Sequence, residues 1–159
     1  AEVDAGPQLL ADLAPAPEQS NSSSPASGLW QNAAPYPMPI ADSAAGSYDG
    51  RIYSFGGLSG WQKLASAYRY DPAGDEWERL AEMPDARQKP TGGFIDDTFV
   101  ITGGWGEDNQ PVATTSLYDA ASDSWSTAAP NPRPLGASGS AVLDGQLYVV
   151  GGCPGECVG

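Results

Sequence analysis

Three stretches of this chain lie over one another without a gap: residues 30–57, 77–104 and 125–152. Each opens on a tryptophan (Trp30, Trp77, Trp125), passes a proline-bearing segment and a short strand-like run, and closes on a Gly-Gly pair (Gly56-Gly57, Gly103-Gly104, Gly151-Gly152). Successive tryptophans are 47 and 48 residues apart. Self-similarity at such a period marks a supersecondary unit that buries its apolar face by stacking on its neighbours.

Within one period the sequence reads as four short strands. Trp77-Glu78-Arg79-Leu80 is one, and Gly92-Gly93-Phe94-Ile95 begins the next after a Met83-Pro84-Asp85 turn. Thr98–Thr102 is a β-branched and aromatic run, and Thr114-Thr115-Ser116-Leu117-Tyr118 is the fourth. Gly, Pro, Asp or Asn bounds each strand, and no helical stripe interrupts them. Tyr48-Asp49-Gly50-Arg51, Ile95-Asp96-Asp97-Thr98 and Leu143-Asp144-Gly145-Gln146 occupy one turn slot, and Asp-Gly there supplies the positive φ of a two-residue hairpin. Tyr70 and Trp77, like Tyr118 and Trp125, stand seven residues apart across a turn, which places aromatics on neighbouring outer strands. Short hairpin-linked strands at this long-range period predict an all-β β-propeller of four-stranded blades.

Gly-Gly, then Tyr-Asp, then Trp seven residues after the Tyr resembles the Kelch repeat, over residues 29–159. The resemblance implies Kelch-type blades, commonly six or seven to a ring. Departures are small: Asp96-Asp97 stands for Asp-Gly, and Gly92-Gly93 for Ala44-Ala45 and Ala137-Ser138. The expected layout is an outer strand at 29–33, a blade at 41–80, a blade at 90–128 and a half blade at 136–152. About two and a half blades form an incomplete ring with open edges, so the remaining blades or another chain are expected to close it. Trp30, Trp77 and Trp125 are expected between blades, with Trp61 and Trp105 more exposed.

Residues 1–28 hold four acids, four prolines, no Lys or Arg and a serine-rich run, which predicts a disordered or extended linker. The net charge of −13 comes from 20 acids against seven basic residues scattered over turns and strand ends. That balance repels a phosphate backbone and disfavours anionic membranes, so neither nucleic acid nor membrane is an expected partner. No apolar run approaches the roughly 20 residues of a spanning helix.

The two cysteines, Cys153 and Cys157, flank Pro154-Gly155-Glu156. A small-loop disulfide between them fits this spacing and points to a secreted, extracellular protein. Half of a metal site and a redox pair are the alternatives, although neither a His nor a third Cys is present to complete a zinc site. Kelch-like segments of secreted bacterial multidomain proteins, some with subtilisin-like protease domains, carry a similar cysteine pair.

Without His the chain lacks the usual Ser-His-Asp and Cys-His machinery, and its carboxylate pairs (Asp75-Glu76, Asp96-Asp97, Glu107-Asp108) fit turn solvation. Copper radical oxidases with Kelch-type propellers use His and Tyr ligands, which this stretch does not supply. No catalytic residue, metal site or cofactor is therefore expected. Function is expected at loops on one rim, where Trp61, Gln62, Lys63, Trp105, Asp108 and Asn109 combine aromatic and polar groups, and Arg87, Lys89 and Arg133 add cations. Such a rim suits a protein or carbohydrate ligand of a non-catalytic interaction or scaffold module. The rival reading is a propeller domain of a secreted enzyme, a subtilisin-like protease or an oxidase, with its catalytic residues outside this chain.

Overall fold

A computed structural model describes residues 30–155, and within them every regular element is a β-strand. The linker expected over 1–28 lies outside the described residues. Two compact units divide the chain at residues 32 and 33. Of the first, residues 30–32 are described and carry no strand, and Trp30 is fully exposed. Of the outer strand expected over 29–33, residues 30–33 carry no strand.

The second unit holds the repeats. The first blade is an antiparallel sheet ordered β1 (Ala44–Tyr48), β2 (Arg51–Phe55), β5 (Ala67–Asp71), β6 (Glu76–Arg79). Between β2 and β5 the chain makes a small hairpin, β3 (Leu58–Ser59) and β4 (Gln62–Lys63). The second blade runs β7 (Thr91–Ile95), β8 (Thr98–Thr102), β9 (Thr115–Asp119), β10 (Ser124–Ala128). A two-stranded sheet, β11 (Gly139–Leu143) with β12 (Gln146–Val150), supplies the third. The first strands β1, β7 and β11 are successive neighbours, so the blades pack face to face.

Turn chemistry sets the register. Asp49 and Gly50 have φ of 47° and 70°, Asp144 and Gly145 of 51° and 70°, and Asp96 of 53°. These left-handed pairs match strand twist, hold Tyr48 opposite Arg51, and pair Leu143 with Gln146. At the far end of the strands the Gly-Gly pairs also take positive φ. A Cβ on Gly104 would meet the Gln88 carbonyl oxygen at 2.7 Å, so glycine is required there on two counts.

The core is an aromatic seam between the first two blades. Phe55 meets Phe99 at 4.6 Å, Tyr118 at 5.1 Å and Trp125 at 5.4 Å between ring centroids, the last edge-on. Tyr53 meets Phe94 edge-on at 4.9 Å. The outer aromatics pair as their seven-residue spacing requires, Tyr70 opposite Trp77 and Trp125 opposite Tyr118. Each Trp also donates its indole N–H to a linker carbonyl, Trp77 to Ala34 at 3.1 Å and Trp125 to Ala81 at 2.8 Å. This ties each blade to the segment entering it.

The buried Tyr118 hydroxyl donates to Asp123 Oδ1 at 2.8 Å, and the same oxygen accepts the Ala81 N–H at 2.9 Å. Burial, reinforced by the Asp123 carboxylate, pushes the Tyr118 phenol well above its ordinary value of 10.0. A raised folded-state pKa means that the folded chain holds this proton more tightly. The resulting stabilisation is complete below about pH 10 and is lost as pH rises above it. Tyr118→Phe is expected to cost about 1 kcal/mol at neutral pH through the lost hydrogen bond. It should also flatten the fall of stability above pH 10, as denaturant melts at several alkaline pH values would show.

Candidate interaction rim

Phe55 pairs with Ala44 on one side and Ala67 on the other, at the end of the first blade away from the Asp49-Gly50 turn. Antiparallel connectivity therefore places the loop after β2 and the linkers entering β1 and β7 on one rim. Three two-residue bridges recur along it: Ala41 with Leu58, Gln88 with Trp105, and Gly136 with Cys153. Each exchanges both backbone hydrogen bonds, at 2.8 to 3.0 Å. The bridges leave the next residues, Asp42, Lys89 and Ala137, with φ of 61°, 49° and 56°. Lys89 N donates to Asp42 O at 2.9 Å and Ala137 N to Lys89 O at 3.2 Å, a staircase that joins the blades.

On this frame the candidate residues separate into two groups. Trp61 is 98% exposed at the tip of the β3–β4 hairpin, beside exposed Gln62. Lys63 Nζ donates to Asn109 Oδ1, so the hairpin is braced against the loop that follows β8. Asp108 Oδ1 accepts the Gln110 N–H at 2.9 Å and shapes that loop, and Asp108 and Asn109 are both exposed. Trp61, Gln62, Lys63, Asp108 and Asn109 therefore share one surface of two tethered loops.

Trp105 does not join them. It is only 7% exposed, against the sequence expectation. Its ring lies where a Cβ on Gly136 would approach to 2.4 Å, and Lys89 Nζ covers the ring at 5.5 Å. The repeat itself carried the signal: Trp105 directly follows Gly-Gly, in register with Leu58 and Cys153.

Arg87 is fully buried and is likewise unavailable at the surface. Its Nε donates to Asp85 Oδ1 at 2.6 Å, Nη1 to the carbonyls of Gly103 and Thr114 at 3.3 and 3.1 Å, and Nη2 to Ser116 Oγ at 3.4 Å. It is a cross-link inside the second blade, not a ligand-reading cation. Arg133 is exposed and lines a groove of about 450 Å³ with Asn131, Leu135 and Val149.

The opposite end is acidic, with Asp49, Asp96, Asp97 and Asp144 at its inner turns. Several carboxylates in the outer turns are structurally engaged. Asp71 accepts the Ala73 N–H at 2.8 Å, which holds its pKa below the ordinary value, with Arg51 at 3.5 Å adding to the effect. The Tyr70 hydroxyl does the same for Asp75 at 2.6 Å, and the Ser122 backbone N–H for Asp119 at 2.8 Å. Among the described residues no group of three or more His, Cys, Asp or Glu could hold a metal ion. No described cysteine is a free thiol, but Cys157 lies outside the described residues and with it the pairing expected for Cys153.

The Kelch motif family matches residues 39–84, from the linker entering the first blade past its outer tryptophan. The chain carries a Kelch-repeat domain. It is similar to Kelch-like protein terF of Aspergillus terreus, 30% identical over 138 residues, which cover 79% of this chain and 30% of that protein. Human Kelch-like protein 33 is 34% identical over 128 residues, covering 77% of this chain and 24% of the relative. Beta-scruin of Limulus polyphemus is 28% identical over 116 residues, 69% of this chain and 13% of the relative. The Kelch blades described here thus span less than a third of these relatives.

Proposed function

We propose that this Kelch domain is a non-catalytic protein-interaction module that binds through the rim carrying the β3–β4 hairpin. The carrying observation is Trp61. Leaving an indole 98% exposed at a hairpin tip forgoes the burial, at least partial, that the other aromatics of the first two blades obtain. Braced through Lys63 and Asn109, it is presented at low entropic cost, as an interface anchor must be. The similarity to Kelch-like proteins supports the same reading.

Peptides selected from a random display library on the immobilised chain test it. Trp61→Ala should weaken the selected peptides at least about tenfold, or 1.4 kcal/mol, while leaving thermal unfolding unchanged. Equal affinity for the variant, or binding of glycans alone on an array, would contradict the proposal. Trp61 beside Gln62 also offers a sugar-stacking face, which makes the glycan arm a real competitor.

A second part of the proposal is an exported protein with Cys153 bonded to Cys157. The support is the short Cys-x3-Cys spacing through Pro154 and Gly155. Intact mass should rise by two hydrogens only after reduction. Two reactive thiols in the unreduced folded chain would refute it.

A further inference from the structure

With 20 acids against seven basic residues, this chain has a carboxylate within reach for every cation, so a cation left without one is informative. Arg51, Arg69, Arg79 and Arg87 are all matched, to Asp49, Glu78, Glu82 and Asp85. Among the described residues Lys63, Lys89 and Arg133 form no ion pair. All three belong to the rim that carries the β3–β4 hairpin. Lys63 lies on β4, Lys89 in the linker entering β7 and Arg133 in the linker entering β11.

Two of the three are held in place. The Lys63 ammonium donates to Asn109 Oδ1, and the Lys89 ammonium stands 5.5 Å from the centroid of the Trp105 ring, so both reach the one loop of residues 105–112. Gly57 N donates to Arg87 O at 2.9 Å, which ties the root of the Trp61 hairpin to the linker that carries Lys89. The Lys89 backbone is fixed at φ 49° by the staircase, which engages both its N–H and its carbonyl. Neither an amide oxygen nor an indole face neutralises an ammonium, and each leaves it N–H groups to donate. The acids of the neighbouring linkers are engaged, Asp42 by Gln88 Nε2 at 2.7 Å and Asp85 by Arg87. Glu107 and Asp108 are exposed in the loop after β8 and do not outweigh the three cations. At the opposite end stand Asp49, Asp96, Asp97 and Asp144, so a basic segment would be drawn there and an acidic one repelled from it.

Taking that rim as the binding face, we propose that the segment it receives is an acidic peptide of a partner protein, whose carboxylates pair with Lys63 and Lys89. Charge complementarity identifies the occupant: the unpaired cations of a chain of net charge −13 are confined to the one rim that also presents Trp61. Pre-positioning by Asn109 and Trp105 lowers the entropic cost of pairing the two ammonium groups. The net charge alone would select the reverse, a basic partner, which makes the sign of the ligand decisive.

A random display library passed over the immobilised full chain tests this. Peptides that are retained should be richer in Asp and Glu than the unselected library. Lys89→Gln should weaken them about fivefold and Lys89→Arg should not, with both variants melting within a few degrees of the unaltered chain. Each peptide acid is then changed to its amide in turn. The acid that meets Lys89 is the one whose amide weakens binding to the unaltered chain about fivefold and to the Lys89→Gln chain no further. Retained peptides rich in Lys and Arg, or without charge bias, would overturn the proposal. So would acidic peptides that bind the Lys63→Gln and Lys89→Gln chains as tightly as the unaltered one, or a library from which nothing is retained. The two readings of the rim fail separately. Peptides without charge bias that are lost with Trp61→Ala would leave the rim as the binding face and remove only its acidic partner. Acidic peptides lost with Lys89→Gln but not with Trp61→Ala would uphold the acidic partner and refute Trp61 as the anchor.

Discussion

Phe55→Ala is expected to lower stability by about 3–5 kcal/mol, which for a domain of this size displaces the thermal midpoint by more than about 10 °C. Phe55 is fully buried and touches Phe99, Tyr118 and Trp125 on the facing blade. Its truncation opens a cavity in the middle of the seam, and the β-ladders on either side prevent collapse. Near-ultraviolet dichroism should weaken as well, because three rings lose a common neighbour. A loss below about 1 kcal/mol would show that the first two blades do not pack through this seam.

Arg87→Leu is the second large effect, expected to cost about 3 kcal/mol. The buried guanidinium satisfies Gly103 O, Thr114 O and Ser116 Oγ while pairing with Asp85. Leucine fills the space but leaves those acceptors without donors, and unpaired buried acceptors are where the cost lies. Urea titration should show a lower midpoint with an unchanged slope. Arg87→Leu, Ser116→Ala together should recover part of the loss, since one orphaned group is then removed. An unperturbed midpoint would mean that Arg87 is solvated at the rim in solution.

The fate of Arg87 shows how far the sequence could be read. Blade order, hairpin register and the Tyr-Trp pairing follow from spacing alone, because period-two strands between Asp-Gly turns leave little freedom. Rim residues are harder, since a loop folds back on its blade by tertiary contacts that have no local pattern. Arg87 looked like a surface cation. Its repeat counterparts, however, are Ile40 and Leu135, and two apolar residues in register are a hint of an inward-facing slot. Trp105 carried the same kind of hint through Leu58. The β3–β4 hairpin is only two residues on each side and escaped a strand pattern. At Trp30 the repeat marks the position, but the residue carries no strand and is fully exposed.

Hydrogen exchange, measured on the chain alone and with a peptide selected on it, tests most directly whether the β3–β4 rim is the binding face. Binding at this rim requires protection of amides in residues 57–64 and 105–112, with those of the hairpin turns at 48–51, 95–98 and 143–146 unchanged. Protection confined to the acidic turns, with the Trp61 hairpin still exchanging freely, would contradict it.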